Sequence, residues 1–288
     1  MTSHTIGALY KEGAALLSAA GVEEPEFDAR ALLAHVLDLG PNDILLHQTE
    51  MAEEDTERVY SHLLQLRSCR LPLQYITRST YFCDLKLRTD DRALIPRPET
   101  EQLVEAVVER LQPLQPGAVD AIVDLGCGSG AIGLCLATQL PLVHLIMTDV
   151  SAAALELTAE NVAHYGFDER VTLLQGAYLD PVHAAGMTER VVAVVCNPPY
   201  VRPDEMPALA PELHAEPRSA LESPAADGLE AYRVLAAQAA DLPRLRLLAF
   251  EVGFEQAAQV GALMTSLGEV EILPDLAGID RIVIVHVH

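Results

Sequence analysis

The run V-V-C-N-P-P-Y, Val194 to Tyr200, combines residue types that suit one kind of guest. Prolines cannot continue a central strand, because each lacks an N–H and is fixed near a φ of about −65°. An apolar strand must therefore stop here. Asn197 offers a side-chain carbonyl oxygen, and a peptide followed by proline offers a backbone carbonyl with no competing N–H after it. Two rigid acceptors facing one point suit a planar NH₂ group, and the Tyr200 ring can pack against its π-face. Asn197, Pro198 and Tyr200 are the candidate catalytic residues, with Pro199 completing the substrate-binding set. For N-P alone, a stiffened loop with an asparagine cap would be the better reading; the order of the motifs along the chain favours the binding one.

A second constellation lies upstream. In A-I-V-D-L-G-C-G-S-G-A-I-G-L an apolar strand runs into a glycine-rich turn and the start of a helix. Gly126, Gly128 and Gly130 let the backbone turn sharply and let a ligand approach where a Cβ would clash. Asp149 ends the next apolar run, where an acid can accept from both hydroxyls of a ribose. The turn has neither the third-glycine spacing of a dinucleotide fingerprint nor the G-K-[ST] of a P-loop. It favours S-adenosylmethionine over NAD or ATP, since a sulfonium cofactor brings no phosphates to cradle while its amino and ribose groups want acceptors.

Methyl transfer joins the two ends. The donor is already activated, so the protein has only to supply in-line approach and to hold a weakly nucleophilic nitrogen with its lone pair toward the methyl carbon. Hydrogen bonds to both N–H groups do this and stabilise the positive charge that develops on the nitrogen. No metal, covalent nucleophile or general base is required. Cys196 has no evident histidine or helix N-terminus to lower its pKa, so it is read as filling space.

The elements that must position these residues follow from periodicity. From Thr5 to about Cys69, apolar residues recur at helical spacing, as in Ile6, Leu9, Leu16 and Leu17 and again in Leu32, Leu33, Val36 and Leu37. Gly21 and Gly40 stand where helices should stop, and a third helix is expected over about 53–66. Residues 1–71 thus read as a helical bundle domain. Short β-like runs through Tyr75, Ile76, Tyr81, Phe82, Leu85 and Leu87 make 72–96 a hairpin linker. Pro98 with Glu99 and Glu101 opens a new helix that runs to about Leu111. Strands expected at 121–125, 144–149, 171–175, 191–196 and 245–252, with helices between them, make 97–288 an α/β domain on a mostly parallel sheet. Two closing runs, Val270 to Leu273 and Arg281 to His288, read as an antiparallel edge pair and bring the sheet to seven strands.

Composition sets limits. The 288 residues carry 42 acids against 19 bases, a formal charge of −23. Such a chain has no surplus of cations with which to release counterions from phosphates, so direct nucleic-acid binding is not expected, whereas a basic protein partner is well suited. No apolar window approaches the ~20 residues of a membrane span, and a cytoplasmic monomer is expected. Cys69, Cys83, Cys127, Cys135 and Cys196 form no C-x-x-C pair and are odd in number, so they are read as buried or semi-buried thiols rather than a disulfide or zinc framework. His286 and His288 fall on one face of the last strand without a nearby carboxylate or cysteine, a tail strand rather than a metal site.

Taken together, P-L-Q-Y-I (72–76), L-I-P-R-P-E-T-E (94–101), D-L-G-C-G-S-G-A-I (124–132), Asp149, N-P-P-Y (197–200), E-P-R-S-A-L (216–221), D-G-L-E-A-Y-R (227–233), E-V-G (251–253) and D-L-A-G-I-D-R (275–281) resemble the release factor glutamine methyltransferases, the HemK/PrmC family, over nearly the whole chain. The resemblance implies a class I, Rossmann-like S-adenosylmethionine-dependent methyltransferase domain behind an N-terminal helical domain. It implies methyl transfer to the side-chain amide nitrogen (N5) of the glutamine in the Gly-Gly-Gln motif of peptide chain release factors, leaving S-adenosylhomocysteine. N-P-P-Y alone is shared with adenine-N6 methyltransferases of DNA and RNA, the alternative reading. Carried over, Gly126, Cys127, Gly128, Ser129 and Gly130 would line the methionine portion of the cofactor, Asp149 would hold its ribose, Tyr178 would cover its adenine, and Asn197 would border both cofactor and glutamine. The chain departs from the family pattern in Q-G-A-Y (175–178), where an acid usually precedes the aromatic, so Ala177 cannot accept from the adenine amine; Arg78 stands where a glycine often follows Y-I.

Overall fold

The computed structural model describes residues 4–288. The chain forms two units, one of residues up to Ser79 together with Ala210–Ala215, the other of Thr80–Leu209 together with Glu216–His288.

The first unit is helical: α1 (Ile6–Ala19), α2 (Pro25–Leu37), α3 (Glu54–Ser68) and the short α4 (Leu73–Thr77). Thr5 caps α1 by accepting from the Ala8 N–H at 3.2 Å, worth about 1 kcal/mol. The helix ends beside Gly21, as its glycine predicts. α2 stops earlier than Gly40 would place it: Asp38 turns left-handed and its N–H reaches the Ala34 and His35 carbonyls. Leu17, Leu32, Leu33, Ile44 and Tyr60 fill the core, with the Tyr60 hydroxyl donating 3.0 Å to the Ala29 carbonyl. Residues 73–77 are helical rather than β. The Pro72 carbonyl accepts from the N–H groups of Tyr75 and Ile76, and both side chains are buried. Burial at helical spacing has overridden their β propensity. Arg78 then takes the left-handed conformation at φ 57°, which explains why a glycine is at home at that position.

The 3₁₀ turn Pro211–Ala215 belongs to this unit although it follows N-P-P-Y in the chain. Glu212 accepts from Arg70 Nε and Nη2, each at 2.8 Å, and from Arg67 Nη2 at 2.9 Å; the buried Arg67 also donates 2.6 Å to Asp28. Burial disfavours the Glu212 charge, but the bonds from Arg70, from backbone and from Arg67 outweigh it and hold the carboxyl at about 2.

The second unit, from Thr80, opens with the rest of a hairpin, β1 (Ser79–Phe82) and β2 (Leu85–Arg88), then α5 (Pro98–Leu111). The remaining elements are β3 (Ala121–Leu125), α6 (Ala131–Gln139), β4 (His144–Asp149), α7 (Ala152–Tyr165), β5 (Val171–Gln175), α8 (Asp180–Ala184), β6 (Val191–Cys196), α9 (Arg218–Leu221), α10 (Glu230–Gln238), β7 (Leu247–Glu251), α11 (Ala257–Met264), β8 (Gly268–Pro274) and β9 (Asp280–Val287). Seven strands form one sheet in the order β5-β4-β3-β6-β7-β9-β8, parallel except where β9 runs antiparallel to β7 and β8. Every residue of β3, β6 and β7 is buried, as a sheet covered on both faces requires. The Cys83 and Cys135 sulfurs are joined, with Cα atoms 6.0 Å apart, contrary to the expectation of thiols alone. The sequence could not anticipate a pairing between a hairpin turn and α6. Cys127 and Cys196 are buried thiols, whereas Cys69 is exposed. His286 pairs with Glu271, and no cluster of metal-binding side chains occurs among the described residues.

Candidate active site

The strand order reverses between β3 and β6, which makes their carboxyl ends the crevice where open α/β sheets bind ligands. Register sets the level of each loop. Leu125 lies opposite Thr148 on one side and Cys196 on the other, while Cys196 lies opposite Phe250. Gly126, Asp149, Asn197 and Glu251 therefore occur at one level along the same edge of the sheet. Four segments far apart in sequence are thereby gathered without any loop having to reach.

On the cofactor side, Gly126, Gly128 and Gly130 have φ values of 68°, 57° and 83°. A Cβ on Gly126 would meet nothing within 4 Å, whereas one on Gly130 would lie 2.9 Å from Thr158 Cγ2. The first glycine thus faces open space and the third is needed for packing. Asp149 accepts from the Gly128 N–H at 3.0 Å through Oδ2 and from the Ser151 N–H at 2.9 Å through Oδ1. Each oxygen keeps lone-pair capacity for a further donor. Burial raises the Asp149 pKa against these bonds. Cys127 and Ser129 are buried and hold the turn: the Cys127 N–H donates to the Thr148 carbonyl, and the Ser129 carbonyl accepts from Asn161. Asp124 is fully buried, with Oδ2 accepting from the Gly133 N–H at 2.8 Å and Oδ1 without a partner. Burial, aided by the Asp149 charge, pushes it up to about 7 despite the Gly133 bond. The open glycine turn, the spare acceptors of Asp149 and the unpartnered Asp124 oxygen fit a ligand rich in hydroxyl and ammonium donors. Tyr178 is held left-handed at φ 50°, and both Tyr178 and Tyr200 pack on the cluster that contains Cys196.

On the reacting side, Asn197 Nδ2 donates to Thr100 Oγ1 at 3.3 Å. The Tyr200 hydroxyl donates to Glu251 Oε1 at 3.2 Å, and the Tyr200 carbonyl accepts from Gln256 Nε2 at 3.2 Å. Gln256 Oε1 in turn accepts from the Gly253 N–H at 2.9 Å. The N-P-P-Y segment is thus clamped from β7 and the loop after it. Burial, with the charges of Asp124, Asp149 and Glu251, pushes the Cys196 thiol well up, which keeps it protonated and unsuited to nucleophilic attack.

Several supporting residues had no role assigned from sequence. Asn161, in the middle of α7, donates 2.9 Å to the Ser129 carbonyl and exchanges hydrogen bonds with both backbone groups of Arg88. Its amide sews the end of β2 to the glycine turn. Glu216 accepts from the Ile95 N–H at 2.9 Å and from Arg97 at 2.6 Å. This bond joins L-I-P-R-P-E-T-E to E-P-R-S-A-L. Their presence among the family motifs was the only signal for Glu216, Thr100 and Glu251; Asn161 in a helical pattern offered none.

The sheet order, the glycine turn and the adjacent N-P-P-Y define a class I methyltransferase. The hMettl16 catalytic domain solved with a 3′UTR hairpin shares this fold, with a TM-score of 0.56 over 89% of this chain and 91% of that one, at 13% identity. Residues 8–77 match the PrmC N-terminal domain, and residues 100–228 match the methyltransferase small domain. The release factor glutamine methyltransferase of Moorella thermoacetica is 39% identical over 269 residues, covering 92% of each chain. Those of Cereibacter sphaeroides and Deinococcus radiodurans are 39% and 36% identical, covering 93% and 96% of each chain respectively. The chain belongs to the release factor glutamine methyltransferase family.

Proposed function

We propose that this protein transfers the methyl group of S-adenosylmethionine to the side-chain amide nitrogen of the glutamine in the Gly-Gly-Gln motif of peptide chain release factors. The observation that carries this reading is the orientation of Asn197: its NH₂ is taken up by Thr100, so its carbonyl oxygen is left to accept. That oxygen and the carbonyl before Pro199 take the two N–H groups of the substrate amide, and Tyr200 packs on its flat face. The lone pair of the nitrogen is then directed across the crevice toward the glycine turn. Fixed acceptors also stabilise the positive charge that develops there, which is discharged when the nitrogen gives up one proton to water.

The bound cofactor supplies a methyl carbon activated by a sulfonium. Asp149 would hold its ribose hydroxyls, the 126–130 turn would line its methionine portion, and Tyr178 would cover its adenine. Ala177 offers no side-chain acceptor to the adenine amine. The formal charge of −23 suits a basic protein partner and opposes binding to nucleic acid. No helix among the described residues is long and apolar enough to cross a membrane. A cytoplasmic monomer acting on release factors is the setting we infer.

The test is mass spectrometry of release factors incubated with the protein and isotopically labelled cofactor. One labelled methyl on the glutamine of the Gly-Gly-Gln peptide is the expected result. An unlabelled peptide overturns the reading, and label on DNA or RNA would favour the adenine alternative instead.

A further inference from the structure

Two buried residues, Thr100 and Glu251, are linked in a hydrogen-bonded chain to Asn197. Thr100 is the third residue of α5, its backbone fixed by an N–H bond of 3.0 Å to the Arg97 carbonyl. Glu251 is the last residue of β7, one position beyond the Cys196–Phe250 pair, and its carbonyl accepts from the Tyr232 hydroxyl at 2.9 Å. Both side chains are buried. Thr100 Oγ1 lies 2.5 Å from Glu251 Oε2 and 3.3 Å from Asn197 Nδ2, while Glu251 Oε1 receives the Tyr200 hydroxyl.

Burial raises the Glu251 pKa against the bonds from Thr100 and Tyr200; in its ionised form the carboxylate has acceptors only, so the proton between it and Thr100 comes from the threonine. A hydroxyl has one proton. With it committed to Glu251, Thr100 can present only a lone pair to Asn197, and only the NH₂ half of the amide can meet a lone pair. The carbonyl half is thereby turned to the opposite side. We propose that Glu251 and Thr100 are positioning residues for methyl transfer, the acceptor-only carboxylate setting the rotamer of the Asn197 amide through the Thr100 hydroxyl while anchoring Tyr200 with its other oxygen. The proposal rests on the glutamine-methylation reading, in which Asn197 accepts from the substrate amide. An inverted Asn197 would present NH₂ to NH₂, two donors against each other, and leave the nitrogen lone pair misdirected.

The test compares Thr100→Val, which keeps the shape and loses the acceptor, with Thr100→Ser, which keeps the hydroxyl, and with Glu251→Gln, whose amide brings a donor into the chain. The wild-type enzyme is assayed first on a release factor containing Gly-Gly-Gln. Absence of glutamine methylation at that step overturns the functional reading itself, before any variant is compared.

With wild-type turnover in hand, Thr100→Val is expected to lower kcat by about tenfold to a hundredfold. Cofactor Kd and release-factor KM should move by less than about threefold, a factor of three being ~0.65 kcal/mol. Thr100→Ser should restore kcat to within that same factor, and Glu251→Gln should lower kcat as well, because its NH₂ can turn the Thr100 hydroxyl toward Asn197 as a donor. Wild-type kcat in Thr100→Val, or a loss in Thr100→Ser equal to that in the valine variant, overturns the proposal. So does a parallel loss of cofactor binding, which a generally loosened fold would produce. If the valine variant does not fold, Thr100→Ala carries the same comparison.

Discussion

Leu125 on β3 pairs with Cys196 on β6, and this single register places the two chemical ends of the protein side by side. The glycine turn begins one residue after the first, and Asn197 one residue after the second. A slip of one residue would turn every side chain of a fully buried strand to the opposite face, so the register is firmly set by the core.

Asn197→Ala should remove turnover while leaving cofactor Kd within about tenfold, or 1.4 kcal/mol. The asparagine belongs to the substrate side of the pairing, so isothermal titration with S-adenosylmethionine and a single-turnover methylation assay should separate the two effects. Equal losses in both would contradict its assignment.

Asp149→Ala should act in the reverse order, weakening cofactor binding first. Its two oxygens also secure the Gly128 and Ser151 N–H groups, so a modest loss of melting temperature is expected alongside. At saturating cofactor the variant should recover much of its kcat; a kcat that stays low at every cofactor concentration would argue against a binding role.

Gly126→Ala and Gly130→Ala should differ in kind. Both positions have positive φ, which costs a residue with a Cβ about 1 kcal/mol. At Gly130 the new Cβ also collides with Thr158, so thermal stability should fall further. At Gly126 it enters open space, and the main effect should be on cofactor affinity. Differential scanning fluorimetry with and without cofactor checks the contrast.

The buried Asp124 makes stability depend on pH. Its carboxyl holds a proton up to about 7 in the folded protein, because of burial, against an ordinary value of 3.8. Between those values the native state binds more protons than the unfolded chain, so this group's contribution falls as pH rises, by about 1.4 kcal/mol per unit. Asp124→Asn removes the titration while keeping an acceptor for Gly133. Measured by chemical denaturation without cofactor, the stability of the variant relative to wild type should increase from pH 4 to pH 7, roughly the window between the two pKa values.

Glu212 gives the opposite sign. Its folded pKa of about 2 lies below the ordinary value of 4.5, so its contribution is present above 4.5 and is lost as pH falls through the folded pKa. Glu212→Gln should destabilise the protein by about 2 to 3 kcal/mol at neutral pH. The difference from wild type should shrink as the pH is lowered from 4.5 toward 2. A constant difference across that range would mean that the ion pairs with Arg67 and Arg70 contribute little.

Much of the α/β unit was legible in the residues. Pro98 set the start of α5, the apolar runs set β3, β4, β5 and β6, and the glycines marked the turn, because these signals are local: a missing N–H, a missing Cβ, a run of apolar side chains. The helical unit was less so. Leu73–Thr77 has residues that favour strands, and only burial of Tyr75 and Ile76 makes it helical; α2 ended on Asp38 because a polar residue took the left-handed position that a glycine was expected to fill. The sequence by itself determined which residues could hold a planar NH₂ and which could hold a nucleoside. The tertiary structure decided which way Asn197 faces, since that depends on Thr100 and Glu251, separated by 151 residues and joined through one hydroxyl proton. It also decided that Glu212, from the chain following N-P-P-Y, would lie with the helical unit. Such hydrogen bonds leave no periodicity in the chain, because direction and distance in space, not spacing in sequence, are what they require.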